Sequence, residues 1–240
     1  MKSIILISAN SEWRAVKEIL VPGNLQSTLL GECFEWPVSD QTNSVPDSTC
    51  TGLTDLSTLF FHGGWGKVSA AASTQYVIDH YQPDILINLG TCGGFEGRIE
   101  RETIILVSKT IIYDIIEQMS SADEAIDYYA TEIDLSWLRE KYPFPVRRGL
   151  LLSADRDILP TDIPQLVEKY GAIAADWESG AIAWVAKKNG VRCLILRGVT
   201  DLVNASGGEA YNNMALFDIQ TQKIMKTLIE QLPAWLALIS

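Results

Sequence analysis

The sequence predicts an α/β fold: a single domain, residues 1–240, in which helices flank a mixed, mostly parallel β-sheet. Short apolar runs alternate with segments of helical spacing, which is the order expected of strand–helix–strand units. Several of the apolar runs are uninterrupted, as strands covered on both faces must be. No change in composition divides the 240 residues, and this length is enough to bury a sizeable core.

Six apolar runs are predicted as strands. The first, SIILISA, opens the chain, and the last, RCLILRGVTD, leads into a segment rich in turn residues. The six predicted strands span residues 3–9, 58–64, 84–90, 103–114, 149–154 and 192–201.

Five segments are predicted as helices. Asn10 and Ser11 are residue types that favour a helix start, and Asn189-Gly190 is a typical helix end. Pro233 is expected to bend or end the last helix. The five predicted helices span residues 11–20, 67–81, 162–170, 177–189 and 216–238.

Two further segments have a weaker pattern. The polar segment 37–56 is predicted as a loop. Segment 115–134 follows a strand and is interpreted as a loop or a short helix that covers a site.

The charge and the apolar pattern exclude several partner classes. The formal net charge of −11 repels phosphate backbones, and no basic patch offsets it, so nucleic acid and anionic membranes are not expected as partners. No stretch approaches the roughly 18 apolar residues of a membrane span. We therefore expect a cytoplasmic protein.

The thiols and imidazoles do not predict a metal site. The four cysteines are widely spaced and form neither a CxxC motif nor a disulfide framework, and only two histidines are present. No metal and no cofactor is expected. These residues are Cys33, Cys50, Cys92, Cys193, His62 and His80.

Small and polar residues follow four of the predicted strands, at the sheet edge where ligands bind in such folds. The four segments read SANSEWR, HGGWGKV, NLGTCGGFEG and RGVTD. The two glycine-rich segments match no phosphate loop, and they are interpreted either as tight turns or as loops that present amides to a small ligand.

Three acids belong to these strand ends or to a helix start. Asp201 ends an apolar strand, where desolvation would raise its pKa and let it act as a general acid; otherwise it caps the following turn. Glu12 and Glu178 could each simply complement a helix dipole. Arg197 lies inside the last strand and is expected to pair with an acid, because an unpaired buried guanidinium is costly. Three acids without metal ligands suit glycosidic bond hydrolysis.

Five ordered motifs resemble the purine nucleoside phosphorylase/nucleosidase family, and within it the 5′-methylthioadenosine/S-adenosylhomocysteine nucleosidases. The motifs are SANSEWRAV, GGWGKVSAA, PDILINLGTCGGFEG, DWESGAIAWVA and LRGVTD, and they extend over about two hundred residues. The resemblance implies a nucleoside phosphorylase-like fold, a nucleoside substrate, a role in methionine salvage and a homodimer or higher homo-oligomer.

The same resemblance implies roles for individual residues. Asp201 falls on the acid that protonates or hydrogen-bonds the purine N7, and Glu12 falls on the residue that positions the attacking water. Glu178 falls on the residue that binds the ribose hydroxyls, at a helix start whose free amides favour its ionised form. Asp176 is expected to be a cap or an ion-pair partner. Residues expected to line the ribose and the base are Thr91, Cys92, Gly93, Asp157 and Ile158.

Three positions depart from the family pattern. Asp157 replaces an aromatic that stacks on adenine, a contact worth roughly 1 kcal/mol. Trp177 replaces the usual Met under the ribose. Arg14 occurs in a turn where phosphorylase relatives place an Arg that binds phosphate.

Three functions therefore stay open from the sequence. The favoured one is hydrolysis of the N-glycosidic bond of a purine nucleoside or 5′-thionucleoside, because the Glu12 carboxylate would activate water and repel phosphate. The second is phosphorolysis through Arg14. The third, motivated by Asp157, is nucleoside binding without catalysis.

Overall fold

The strands of the protein join in one eleven-stranded mixed sheet, as seen in the computed structural model, which describes residues 1–36, 58–139 and 141–239. The strands are β1 Ser3–Ile7, β2 Gln26–Ser27, β3 Glu32–Trp36, β4 Thr58–His62, β5 Ile85–Phe95, β6 Ile104–Ile112, β7 Thr131–Glu132, β8 Arg147–Ser153, β9 Ala174–Asp176, β10 Arg192–Asn204 and β11 Gly207–Gly208.

Six α-helices accompany the sheet in the described part of the chain. They are α1 Asn10–Leu20, α2 Lys67–Tyr81, α3 Ala122–Tyr129, α4 Ile163–Tyr170, α5 Ser179–Lys188 and α6 Met214–Leu236. A short 3-10 helix, Pro160–Asp162, precedes α4. None of the described helices combines the length and the apolar character needed to cross a lipid bilayer.

Parallel pairings connect the centre of the sheet, as predicted. β4, β1, β5 and β10 lie side by side in parallel, so the carboxyl ends of these strands meet at one edge. β5 also pairs with β9, and β9 continues through β8 and β6 back to β10. These five strands, β5, β10, β6, β8 and β9, therefore close on themselves as a small barrel beside the open part of the sheet.

The core forms where the uninterrupted apolar runs predict it. The four residues Ile4–Ile7 of β1 have no exposed surface, and the apolar residues of β4 and the first half of β5 are equally buried. Trp235, near the end of α6, is also fully buried. The central strands β1, β4 and β5 are thus covered on both faces.

Several predicted elements differ from the observed ones. Strand β5 does not end at Gly90 but continues to Phe95, so Gly90–Gly94 are strand residues, not a glycine-rich turn. Likewise, β10 runs past Asp201 to Asn204. The helix predicted from residue 177 starts at Ser179, and the last helix ends at Leu236, one turn after Pro233.

Short or weakly patterned elements were absent from the prediction. β9 has three residues and β3 follows no clear alternation, so neither carries a periodic signal. Segment 115–134 contains α3. The loop predicted at 37–56 lies outside the described residues.

Candidate active site

A cavity of about 610 Å³ opens at the carboxyl ends of β1, β5 and β10. This is the edge at which open α/β sheets bind ligands. All but one of the predicted site residues line it: Glu12, Arg14, Thr91, Cys92, Gly93, Asp157, Ile158, Asp176, Trp177, Glu178 and Asp201. The exception, Arg197, lies behind the wall in contact with Asp176.

Glu12 is held in the first turn of α1 and points into the cavity edge. Its Oε2 accepts the Ala9 N–H at 3.1 Å, and its Oε1 accepts the Thr91 N–H at 2.6 Å and the Thr91 Oγ1 hydroxyl at 2.9 Å. The side chain is only 3% exposed. Three donors from two elements therefore fix the orientation of one carboxylate at the junction of β1, α1 and β5.

Asp176 has its oxygens occupied by the protein. The Arg197 Nε donates to Oδ2 at 2.8 Å, the Ser153 hydroxyl donates to Oδ1 at 2.6 Å, and the Ser179 N–H donates at 3.1 Å. The Ser179 bond caps the start of α5, so Asp176 serves as both cap and ion-pair partner. With these partners it has little capacity left for a ligand.

Arg197 is fully buried with two donors still available. Its Nη1 and Nη2 make no hydrogen bond to any residue in the described ranges. A Cβ on Gly90 would lie 2.2 Å from Nη1 and 2.7 Å from the Glu12 Oε1, so the glycine leaves room for both groups. Burial alone would lower the pKa of Arg197, but the carboxylates of Asp176, Glu12 and Glu178 raise it, so the guanidinium stays charged.

Glu178 differs from Asp176 in its environment. It is the residue before α5, yet its side chain makes no capping bond to that helix; instead, its Oε1 accepts the Gly66 N–H at 3.0 Å. Burial, followed by the charges of Asp176 and Glu12, raises its pKa to about 8 against the opposing effects of Arg197 and the Gly66 bond. The expectation that α5 amides keep Glu178 ionised was wrong, because Asp176 takes the α5 cap.

Asp201 also lines the cavity, but its charged neighbours differ from those of the acids around Arg197. A bulge in β10 between Val199 and Asp201 shifts the register against β5. The Thr200 hydroxyl donates to its Oδ1 at 2.8 Å. Burial raises the pKa of Asp201, and the charges of Glu209 and Asp157 raise it further, against opposing hydrogen bonds from Thr200 and the Ala210 amide. Such a carboxyl can hold a proton and donate it.

The wall beside Asp201 consists of Asp157, Ile158 and Tyr211. Asp157 is exposed, and its charge contributes to raising the pKa of Tyr211, although burial is the larger cause. The Tyr211 hydroxyl donates to the Ile158 carbonyl at 2.7 Å. The Ile158 carbonyl oxygen therefore already accepts one hydrogen bond. The Tyr211 side chain also lines the cavity.

A pair of tryptophans forms the wall next to Glu178. The Trp177 and Trp65 rings are 5.3 Å apart with a 36° tilt, and Trp65 is 58% exposed. Below them, Thr91, Cys92 and Gly93 line the cavity from β5, not from a loop as predicted. Burial, and then the charge of Asp176, raises the pKa of the Cys92 thiol well above its usual value, so Cys92 is not a reactive thiolate.

Arg14 lies at the rim, and another residue neutralises it. Its Nη2 donates to the Asp218 Oδ1 of α6 at 2.6 Å, and both side chains are about half exposed. Arg156, which also lines the cavity, pairs with Asp162 and lies over the Tyr113 ring. Neither guanidinium is an unpaired cation facing the cavity.

Several lining residues were missed by sequence reasoning. These are Trp65, Arg156, Tyr211, Met214 and Phe217. Trp65 lies inside the GGWGKVSAA motif, and its large side chain between two glycines was the available signal. Arg156 and Tyr211 follow β8 and β10 in segments without periodicity, whereas Met214 and Phe217 belong to the start of α6; only the fold brings all four to the cavity.

The chain is similar to known proteins over most of its length. The phosphorylase superfamily matches residues 38–232. The 5′-methylthioadenosine/S-adenosylhomocysteine nucleosidase of Buchnera aphidicola subsp. Acyrthosiphon pisum (strain Tuc7) is 28% identical over 181 residues, which cover 70% of this chain and 78% of that protein. The enzyme of the same name from Staphylococcus aureus (strain JH9) is 25% identical over 197 residues, covering 75% and 84%.

Solved structures show the same fold at lower identity. The S. pneumoniae 5′-methylthioadenosine/S-adenosylhomocysteine nucleosidase with a transition-state inhibitor aligns with a TM-score of 0.70 at 18% identity and covers both chains completely. A futalosine hydrolase mutant of Helicobacter pylori aligns with a TM-score of 0.67 at 15% identity, covering 97% of this chain and 98% of that one. Because the family match extends over most of the sequence, the chain belongs to the phosphorylase superfamily.

Proposed function

We propose that this protein is a nucleosidase that hydrolyses the N-glycosidic bond of a purine nucleoside or a 5′-thionucleoside and releases the base and the sugar. The observation that carries the proposal is that the acids lining one cavity have two different surroundings. Asp201, whose pKa is raised, has Glu209 and Asp157 as charged neighbours, whereas Glu12 and Glu178 interact with Arg197; we assign the first group to the base end and the second to the sugar end. An acid for the leaving base and anions for the sugar cation are what glycosidic cleavage needs.

The chemical step assigns one task to each end. Asp201 donates its proton to the purine N7 as the bond from the sugar C1′ to N9 breaks, and the bonding electrons leave with the base. The sugar becomes oxocarbenium-like, and water adds to C1′ while Glu12 accepts the proton that the water loses. Glu12 is suited to this task because the Ala9 and Thr91 donors orient it.

Arg197 and Glu178 support the sugar end. Arg197 is buried behind the cavity wall next to Glu12, and its positive charge favours the ionised form of Glu178. Glu178 accepts hydrogen bonds from the ribose hydroxyls in its ionised form. Because its pKa is raised to about 8, kcat/KM is expected to increase with pH up to that region. Because burial raises the pKa of Asp201, this carboxyl keeps its proton to higher pH than an ordinary aspartate, and loss of that proton lowers kcat/KM.

Hydrolysis is favoured over phosphorolysis by the charges that surround the cavity. Arg14, the candidate phosphate ligand, is paired with Asp218, and Arg156 is paired with Asp162. The carboxyls lining the cavity outnumber these two cations. A phosphate dianion would therefore enter against a net negative field, whereas water would not.

The substrate class rests on the relatives and on the walls. The curated relatives are named for 5′-methylthioadenosine and S-adenosylhomocysteine, both purine 5′-thionucleosides. Tyr211 supplies an aromatic ring near Asp201, while Asp157 replaces the ring that the family pattern would place there. Trp65 and Trp177 give an apolar wall at the other end.

We further propose that the chain acts in the cytoplasm as a homo-oligomer. The apolar side chains of Ile116, Met119 and Tyr128 are 81%, 98% and 60% exposed, which suits contact with a second copy. Cys92 and Cys193 are buried free thiols, which fits a reducing compartment. Light scattering coupled to size exclusion tests the assembly, and a monomer at all concentrations would contradict it.

A release assay tests the reaction. Adenosine, 5′-methylthioadenosine, S-adenosylhomocysteine, inosine, guanosine and uridine are each incubated with the protein, with and without phosphate, and free base is quantified. We expect release from at least one purine nucleoside at a rate independent of phosphate. Strict phosphate dependence would support phosphorolysis instead, and binding without release would support a non-catalytic protein.

A further inference from the structure

Three charged residues meet outside the cavity, behind the loop that carries Trp65. Lys67 starts α2, Asp114 follows β6 and Asp155 follows β8. The Lys67 Nζ pairs with Asp114 and lies 3.8 Å from the Asp155 Oδ2, and the Asp155 N–H donates to the Asp114 Oδ2 at 2.9 Å. These residues, here termed the Lys67 cluster, join three separate segments and do not line the cavity.

The cluster fixes the backbone just before α2. The Lys67 N–H donates to the Asp155 Oδ1 at 2.7 Å, and the preceding amide, Gly66 N–H, donates to the Glu178 Oε1 at 3.0 Å. The N-cap residue, Gly66, has no side chain, so two acids from other segments satisfy these successive amides. Gly66 has φ 82°, and a Cβ there would lie 3.2 Å from the Asp155 Oδ1. The backbone at Gly66 thus lies close to the Asp155 carboxylate.

We propose that Asp155 is a positioning residue that, through the Lys67 cluster, holds the Gly66 amide against Glu178 and so sets how Glu178 binds the substrate sugar. The part about the sugar rests on the proposed function. Asp155 does not line the cavity, so it is not expected to touch the substrate. Its hydrogen bonds run to Lys67 and Asp114. It acts through Gly66.

The consequence for Glu178 follows from its surroundings. Asp176 and Glu12 face it with negative charge, and Arg197 and the Gly66 N–H are the groups that favour its ionised form. Losing the Gly66 bond would therefore raise the pKa of Glu178. Removing the negative charge of Asp155 alone would lower the pKa of Glu178 or leave it unchanged.

Two substitutions separate these effects. Asp155→Asn removes the charge but keeps an oxygen that can accept the Lys67 N–H, whereas Asp155→Ala removes both. Asp123→Ala is the matched control, because Asp123 also pairs with a lysine, Lys169, but on an exposed helix without contact to Gly66. If Asp155→Ala does not fold, Lys67→Met tests the same link by removing the ammonium that joins the two acids.

The first measurement does not depend on catalysis. The Glu178 carboxyl is followed by ¹³C NMR during a pH titration of the full-length protein, with Glu178→Gln identifying the signal. We expect the midpoint to rise by about half a unit to one unit in Asp155→Ala, the size of one lost hydrogen bond. The midpoint should stay or fall slightly in Asp155→Asn and not change in Asp123→Ala. An unchanged midpoint in folded Asp155→Ala would overturn the positioning role.

The second measurement tests the link to the sugar. We expect Asp155→Ala to lower kcat/KM about tenfold for the ribonucleoside, mainly through KM, and to have a much smaller effect on the 2′-deoxy analogue, which lacks a hydroxyl that Glu178 would bind. Equal losses on both substrates would overturn the link to the sugar. If the wild-type protein releases no base from any nucleoside, the proposed function fails, while the NMR titration still decides the positioning role.

Discussion

Asp176 and Glu178 are both buried and lie two positions apart, but they have different partners. Asp176 has Arg197, Ser153 and Ser179 around its oxygens, whereas Glu178 has the single amide of Gly66. The negative charge of Asp176 adds to burial in raising the pKa of Glu178. Two carboxylates beside one fully buried guanidinium are therefore unequal: one is structural and the other is free for a ligand.

This inequality predicts a stability effect. The pKa of Glu178 is higher in the folded protein than in the unfolded chain, so wild-type stability is lost as pH rises from the usual glutamate range toward about 8. Glutamine at position 178 has no charge to desolvate. The free energy of unfolding of Glu178→Gln, relative to that of the wild type, should therefore increase by roughly 2 kcal/mol between pH 6 and pH 8.5. Urea unfolding at the two pH values measures it.

A difference in stability that does not change with pH would contradict this account of Glu178. Asp123→Ala serves as a control, because its carboxylate is exposed and pairs with Lys169 at the surface. Its effect on stability should be small at both pH values.

The sequence identified these acids as candidates, and the apolar strand before Asp201 correctly predicted a raised pKa for that carboxyl. Glu12, Glu178 and Asp201 could each be picked out from strand ends and helix starts. The raised pKa of Glu178 was not predicted, because it depends on burial and on the charges of Asp176 and Glu12, and Glu12 is far away in the chain.

At the scale of elements, the pairing of β5 with β10 builds the sugar end. Arg197 on β10 lies opposite Gly90 on β5, and the missing side chain leaves the space that the guanidinium and Glu12 share. The glycines suggested a turn in the sequence because glycine is depleted from strands. The fold uses them as strand residues because side chains from neighbouring elements need that space.

Gly90→Ala tests this packing. The new Cβ would lie 2.2 Å from the Arg197 Nη1, so Arg197 or Glu12 must shift. We expect a loss of about 1 to 3 kcal/mol of stability together with a loss of base release. Gly23→Ala is the matched control, since a Cβ there meets nothing within 4 Å. Wild-type stability and activity in Gly90→Ala would contradict the packing account.

The ion pair between α1 and α6 leads to a second prediction at this scale. Arg14 and Asp218 form an exposed ion pair, so Arg14→Ala should change stability by less than about 1 kcal/mol. Because the guanidinium is occupied, phosphate should leave the rate of base release unchanged in both the wild type and Arg14→Ala. Rate measurements over a phosphate series check this, and a phosphate activation that Arg14→Ala abolishes would contradict it.

At the scale of the whole molecule, apolar runs that alternate with segments of helical spacing were enough to predict the α/β class and the mixed, mostly parallel sheet. The closed barrel of β5, β10, β6, β8 and β9 was not predicted, because it depends on the three-residue strand β9 and on a second pairing of β5. The position of the cavity followed from the strand-end rule, but its Tyr211 and Phe217 walls did not.

The acidic character of the chain is also visible at this scale. The chain has a net charge of −11. Arg14 and Arg156 are both paired with acids, so no unpaired basic side chain is found among the described residues that line the cavity. This field suits a cationic sugar transition state and a neutral nucleophile. Water is therefore the acceptor that the whole charge distribution favours.

The most direct test identifies the sugar product in phosphate-free buffer and again after phosphate is added, using the purine nucleoside that the wild-type protein cleaves best. We predict one reducing sugar for each base released, no sugar phosphate by ³¹P NMR, and a rate about 10² to 10⁴ lower in Asp201→Asn, which cannot protonate the base. Sugar 1-phosphate as the product, or undiminished release by Asp201→Asn, would contradict hydrolysis driven by Asp201.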